Sequence, residues 1–126
     1  ALGTTLTPIE GATLQILYRY YALHWADWGV SSREYADGET PDRQESWETP
    51  KYGVLDLHGS YDLPFELGPA KPKLFFHIFN ALDEVYIQDA TDNSRYNAWS
   101  DTHSASDAEV FMGIPFSFNA GLSINF

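Results

Sequence analysis

Apolar and small polar residues alternate along the last part of the chain, over residues 116–126. The apolar positions are Phe116, Phe118, Ala120, Leu122, Ile124 and Phe126. The positions between them carry only Ser, Asn and Gly. Because side chains of a strand point alternately to opposite faces, this period of two predicts a strand with one apolar and one polar face. A soluble sheet shows the same pattern, but a small, uncharged polar face favours the crowded wall of a membrane barrel.

The same period recurs in four earlier segments, which we predict to be strands. They cover residues 1–7, 12–25, 51–63 and 73–87, and the closing strand lies within residues 108–126. The alternation breaks at residues 80–83, where we expect a β-bulge. The expected fold class is all-β, an antiparallel transmembrane β-barrel segment of about five strands that is completed by strands outside this chain.

The connections between these segments alternate between short and long. Residues 8–11 and 64–72 are turns rich in Pro and Gly, whereas residues 27–50 and 88–107 are long and polar. Outer-membrane barrels have brief periplasmic turns and long extracellular loops. Aromatic residues also gather beside the long segments, as they do in interfacial girdles. The order of connections therefore favours a membrane barrel.

The net charge of the chain is -11, and seven of its eighteen acidic residues lie in residues 26–50 and seven more in residues 83–109. Such a surface repels nucleic acid and anionic ligands, so nucleic-acid binding is not expected. Without Cys, the chain has no disulfide framework and no thiolate site. It carries no phosphate loop, nucleophile elbow or His-Glu metal pair, so we expect neither enzymatic activity nor a cofactor.

Two segments resemble TonB-dependent outer-membrane receptors. The run F-N-A-L-D-E-V-Y at residues 79–86 is similar to the N-L-F-D-x-x-Y signature of their penultimate strand. The run Gly113-Ile114-Pro115, followed by a strand that ends on Phe126, resembles their closing strand. Many members carry Arg after the Gly-x-Pro, whereas this chain has Phe116, so a role of that Arg is not carried over.

The resemblance implies a receptor of the bacterial outer membrane that takes up a scarce nutrient, such as an iron chelate, a cobalamin or a glycan. It implies a barrel of about twenty-two strands and an amino-terminal plug domain. The expected partners are the remaining barrel strands and plug, in this or another chain, outer-membrane lipid, a TonB-type energy-coupling protein and the barrel-assembly machinery. The expected assembly signal is formed by Phe118, Leu122, Ile124 and Phe126.

Five strands cannot close a membrane barrel, since single-chain barrels begin at about eight strands. An open sheet edge in lipid leaves backbone N–H and C=O groups unpaired, which is strongly unfavourable. We therefore expect residues 1–126 to form the carboxy-terminal part of a barrel, without a plug domain, and to aggregate in water when isolated. The start of the chain, residues 1–9, lacks the features of a secretory signal.

Four residues of the long polar segments are candidates for ligand contact: Trp28, Tyr35, Trp47 and His103. Aromatic rings stack on sugar rings or planar ligands, although Trp25 and Trp28 fit interfacial anchors as well. Asp89 and Asp92 are weak metal candidates, because their oxygens suit calcium but their spacing does not fit an EF-hand. No bound metal is therefore expected.

Asp56, His58 and Asp62 share one face of a predicted strand, which suits acid-base or metal chemistry but is also typical of a polar barrel interior. We favour the barrel interior, and we expect His24 and His77 to be packing or girdle residues. The rival hypothesis is a soluble β-sandwich that binds carbohydrate and has acidic loops able to hold calcium. Such a sandwich requires the apolar faces of two sheets to meet in one core.

Overall fold

The computed structural model describes residues 1–29, 46–66, 68–92 and 105–125. Within them the protein is all-β with antiparallel sheets, as predicted. Seven strands are described: β1 Leu2–Leu6, β2 Ala12–Tyr21, β3 Tyr52–Asp62, β4 Lys71–Phe79, β5 Ile87–Asp92, β6 Ala108–Met112 and β7 Ser117–Asn125. A short 3-10 turn, Ala105–Asp107, precedes β6. Among the described residues, no helix has the length and hydropathy needed to cross a membrane.

Five of these strands form one sheet in the order β1-β2-β3-β4-β7, and β5 and β6 form a second sheet. The chain divides into two compact units. The first comprises Ala1–Tyr20, Gly53–Glu84 and Ile114–Phe126. The second comprises Tyr21–Tyr52 and Val85–Gly113, which are the two long connections between strands of the large sheet. The long connections thus form a unit of their own.

Strand register gathers the apolar side chains of the first unit on one face of the large sheet. Leu57 of β3 lies opposite Ile78 of β4, and Ile78 lies opposite Phe118 of β7. Leu74 likewise lies opposite Leu122. These side chains remain open to the surroundings: Leu74 is 45% exposed, Leu122 is 55% exposed and Phe118 is 72% exposed. The described residues therefore leave the apolar face largely uncovered.

The buried apolar side chains of the second unit form a separate small core. Ala26, Trp28 and Ala90 are buried together, and the partly buried side chains of Trp47, Ile87 and Ala108 pack against them. A backbone hydrogen bond from Ala26 N–H to the Trp47 carbonyl lies within the first long connection, and one from Asp27 N–H to the Ala90 carbonyl joins the two connections. Both are 2.8 Å long.

Several predicted boundaries were wrong. The strand predicted for residues 12–25 ends at Tyr21, because Leu23 adopts the left-handed conformation with φ 56°. The segment 88–107, predicted as one polar loop, contributes most of β5 and the 3-10 turn. The alternating run predicted from Phe116 onwards corresponds to β7, whereas residues 108–112, before the Gly-Ile-Pro run, form the separate strand β6, which was not predicted.

The fourth predicted strand is also shorter than expected, since β4 ends at Phe79. The expected bulge is instead a tight turn in which Asn80 and Asp83 have φ values of 49° and 52°. Asn and Asp tolerate this left-handed region better than most residues. A turn with two such residues ends β4, whereas a bulge would have let the strand continue.

Aromatic rings of neighbouring strands occupy the space beside strand glycines. The Phe76 ring lies where a Cβ of Gly59 would be, and the Tyr18 ring occupies the same position beside Gly53. On the polar face, the Phe75 ring lies against Gly121. A glycine weakens a strand unless another group packs over its backbone, so each ring compensates for a missing side chain.

The substitution Gly59→Ala should destabilise the protein by about 1–3 kcal/mol, because the added methyl displaces the Phe76 ring. Gly29→Ala is the control, since among the described residues, its chain neighbours aside, no atom lies within 4 Å of the Cβ that it would add. Urea unfolding of the protein, in the detergent or liposomes that keep it folded, measures both effects. Equal stability of the two variants would show that the ring does not depend on Gly59.

Candidate functional site

The side chain of Asn80 is the most completely hydrogen-bonded one in the turn after β4. It is 1% exposed. Its Nδ2 donates to the Glu84 carbonyl at 2.9 Å and to the Ile114 carbonyl at 3.1 Å. Its Oδ1 accepts from the Glu84 N–H at 3.0 Å. Since a buried amide requires partners for both its donor and its acceptor, this geometry fits Asn and no other residue of similar size.

Asp83 extends the same connection towards β7. Its N–H donates to the Asn80 carbonyl at 2.9 Å, which closes the turn. Its Oδ1 accepts from the Phe116 N–H at 3.0 Å. Asn80 and Asp83 therefore attach the turn to the chain just before β7, through Ile114 and Phe116. The run at 79–86 and the Gly-Ile-Pro run, which carry the family resemblance, are in direct contact in the first unit.

A matching contact occurs in the second unit, between Tyr86 and Gly113. The Gly113 N–H donates to the Tyr86 carbonyl at 2.8 Å. The Tyr86 ring fills the space that a Cβ at Gly113 would need. Tyr86 also stacks on Tyr52, and Tyr52 stacks on Tyr21, with ring centroids 4.3 Å and 4.8 Å apart. Gly113 is thus required for the ring's position, not for an unusual backbone conformation.

Asp56 of β3 connects the Asn80 turn to β2. Its side chain is 4% exposed and forms an ion pair with Arg19, which is 39% exposed. Its other oxygen, Oδ1, accepts the Asn80 N–H at 3.0 Å. A buried carboxylate needs a cation and hydrogen-bond donors, and Asp56 has both. The residue therefore links β2, β3 and the Asn80 turn.

His58 and His77 meet on the polar face of the large sheet. They are direct partners in the register of β3 and β4. Their Nδ1 atoms lie 2.9 Å apart, and both side chains are half-buried. A shallow groove of about 270 Å³ lies beside them, lined also by Thr5, Thr13, Gln15, Gly59, Ser60 and Phe75. Asp62, on the same strand face, pairs instead with Lys73 at 3.2 Å.

Of the four ligand candidates, the structure describes two, and both contribute to the small core of the second unit. Trp28 is 4% exposed and belongs to the core of the second unit, so its burial is at odds with a ligand-stacking or interfacial position. Trp47 is half-buried against the same core. Tyr35 and His103 lie outside the described residues.

The weak metal candidates gain no support from the described residues. Asp89 is exposed, and its Oδ1 accepts the N–H of the next residue, Ala90, at 2.8 Å. Asp92 is the last residue of β5. Within the ranges that the structure describes, no group of three or more His, Asp or Glu side chains is arranged to hold a metal ion. Of the expected assembly residues, Phe118, Leu122 and Ile124 lie exposed on β7, and Phe126 falls outside the described ranges.

Sequence reasoning missed the roles of Arg19 and His77. Arg19 is the one charged residue within β2, and a lone charge in a predicted strand is a signal for a partner on the next strand. His77 was expected to pack or anchor, and it does pack against Phe75 and Phe79. Its pairing with His58 depends on register, which the sequence pattern leaves open.

Compared with protein-family models, with curated proteins and with solved structures, the chain matches none.

The substitution Asn80→Ala should destabilise the protein by roughly 2–4 kcal/mol, because it removes three hydrogen bonds and leaves the Ile114 carbonyl without its donor. Asp83→Asn is the matched control, since its side-chain oxygen can still accept the Phe116 N–H. Urea unfolding followed by tryptophan fluorescence measures both. The assignment of Asn80 as the anchor of the turn would be wrong if Asp83→Asn were equally destabilising.

Replacing Arg19 with Met should cost roughly 2–4 kcal/mol, because the Asp56 carboxylate then stays buried without its cation. Lys73→Met breaks an exposed ion pair, in which the Lys73 side chain is 37% exposed and the Asp62 side chain is 60% exposed. That change should cost about 1 kcal/mol or less. Unfolding free energies of the two variants provide the test, and similar values would contradict a special role for Arg19.

Proposed function

We propose that the chain forms part of the barrel wall of a TonB-dependent outer-membrane transporter, which takes up a scarce nutrient. In this proposal the apolar face of the large sheet contacts lipid and the polar face lines the barrel interior. The strands act as wall, and the chain carries out no catalysis. The remaining strands, the plug and the energy-coupling protein belong to the rest of the transporter.

The observation that carries the proposal is the uncovered apolar face. Large apolar side chains from β1, β2, β4 and β7 remain more than a third exposed, among them Leu2, Tyr18, Phe76 and Ile124. Soluble monomers rarely expose a contiguous apolar surface of this kind. A face that alternates with a polar one along every strand is the pattern of a membrane barrel, where hydrocarbon covers the outside.

The opposite face has the composition of a barrel interior. Register places His77 opposite Asn119, and Lys73 opposite Ser123. The Arg19–Asp56 ion pair lies on this face as well. In lipid a charged pair of this kind is strongly disfavoured, whereas a water-containing interior tolerates it.

The edges of the sheet support the same proposal. In the part of the chain that the structure describes, β1 pairs with β2 alone, and β7 with β4 alone. Backbone groups on a free edge have no water to bond in the hydrocarbon region. We therefore infer that further strands pair with β1 and β7 and close the barrel.

The second unit, built from the two long connections, is the proposed extracellular part. Fourteen of the eighteen acidic residues lie within 26–50 and 83–109. Where these connections contact the ligand, their negative charge disfavours an anionic ligand and favours a neutral or cationic one.

Spin labels on adjacent β7 residues distinguish lipid from a protein core. The chain has no Cys, so Leu122→Cys and Ser123→Cys each give one labelling site. In protein reconstituted into liposomes, the label at 122 should collide mainly with oxygen dissolved in the bilayer. The label at 123 should respond more to a water-soluble nickel chelate. Electron paramagnetic resonance power saturation measures both.

The result at position 122 decides between the proposal and its rival. A label that neither oxygen nor the nickel chelate reaches would mean that Leu122 lies in a dry protein interior. That outcome fits a soluble β-sandwich and would overturn the transporter proposal. Phe118→Cys and Asn119→Cys repeat the comparison further along the same strand, so a local distortion at one site does not decide the result.

A further inference from the structure

We propose that His58 and His77 bind one divalent transition-metal ion of the Cu²⁺ or Ni²⁺ class on the polar face of the large sheet. The pair lies within β3 and β4, so the inference does not depend on whether the sheet is part of a transporter. Neither residue is required for the hydrogen bonds of the Asn80 turn described above.

The backbone sets the distance between the two rings. His58 and His77 are register partners on adjacent antiparallel strands, and both point to the polar face. Their ring centroids are 5.0 Å apart, with an interplanar angle of 57°. Phe79 contacts the edge of the His58 ring, and Phe75 and Phe79 lie on either side of His77 along β4. Both imidazoles thus lie among aromatic neighbours on the polar face with their Nδ1 atoms next to each other.

The separation of the nitrogens indicates which geometry the pair suits. The two Nδ1 atoms are 2.9 Å apart. With metal–nitrogen bonds of about 2.05 Å, neighbouring positions of a square plane or octahedron lie about 2.9 Å apart, whereas tetrahedral positions lie about 3.3 Å apart. Square-planar or tetragonal coordination by nitrogen and oxygen is typical of Cu²⁺ and Ni²⁺. The spacing therefore favours these ions over tetrahedral Zn²⁺.

In the absence of metal, the same distance suits a hydrogen bond in which one ring donates its Nδ1–H to the other ring. A metal ion would replace that proton, with both rings neutral and both Nδ1 atoms as ligands, while the proton moves to the second nitrogen of its ring. Binding weakens as the pH falls, because protons compete with the metal for the same nitrogens.

The groove beside the pair provides room and oxygen atoms for the remaining coordination positions. Gln15 and Ser60 line it together with Thr5 and Thr13. The amide oxygen of Gln15, the hydroxyl groups and water are all suitable further ligands for Cu²⁺ or Ni²⁺. Because the groove is open, an ion can enter from the polar side of the sheet.

Cu²⁺ titration of the purified chain, in the detergent or liposomes that keep it folded, tests the proposal. Isothermal titration calorimetry with Mg²⁺ in excess, to occupy exposed carboxylates, should show one tight site. His58→Gln and His77→Gln should each weaken it at least about tenfold, and the double variant should abolish it. His24→Gln is the control, since it leaves both ring nitrogens of the pair in place.

A measurement on the unsubstituted chain keeps the test independent of how the variants fold. Electron paramagnetic resonance of the Cu²⁺-loaded protein should show an axial signal with two equatorial nitrogens. The proposal is overturned by a signal with fewer than two nitrogens, by the absence of tight binding, or by tight binding that survives in a folded double variant.

Discussion

Cross-strand register between β3, β4 and β7 determines which side chains share a face of the large sheet. With the observed pairing, Leu74 and Leu122 lie on one face, and His77 and Asn119 on the other. Because side chains alternate, a shift of β4 by one residue would exchange its two faces. The apolar face and the histidine pair therefore both depend on this one alignment of strands.

Hydrogen bonds of the turn at Asn80 fix this alignment of strands. Asp56 of β3 accepts the Asn80 N–H, and the Asn80 side chain donates to Ile114 just before β7. Asp83 adds the bond to Phe116. The long connection between β4 and β7 would otherwise leave their register to side-chain packing alone. Buried, fully paired polar groups specify one arrangement where apolar contacts permit several.

How much could be predicted from the sequence differs between elements for physical reasons. The alternation of β2, β3 and β7 predicted these strands and their apolar faces, because a face that differs from its opposite leaves a period of two. The strands β5 and β6 were missed because they are short, and residues 88–92 of β5 are almost entirely polar. The burial of Trp28 was not foreseen, because it depends on packing between segments distant in sequence. The meeting of His58 and His77 required a register that neither strand encodes by itself.

The ring of Phe76 over Gly59 also limits the order in which this sheet can evolve. A larger side chain at position 59 is harmful while the ring is present, and a smaller one at position 76 exposes the glycine backbone. Each single step is expected to lower stability more than the two together, a pattern called sign epistasis. Substitutions at positions 59 and 76 are therefore expected to occur together. Their co-occurrence in related chains would indicate that β3 and β4 pair in this register.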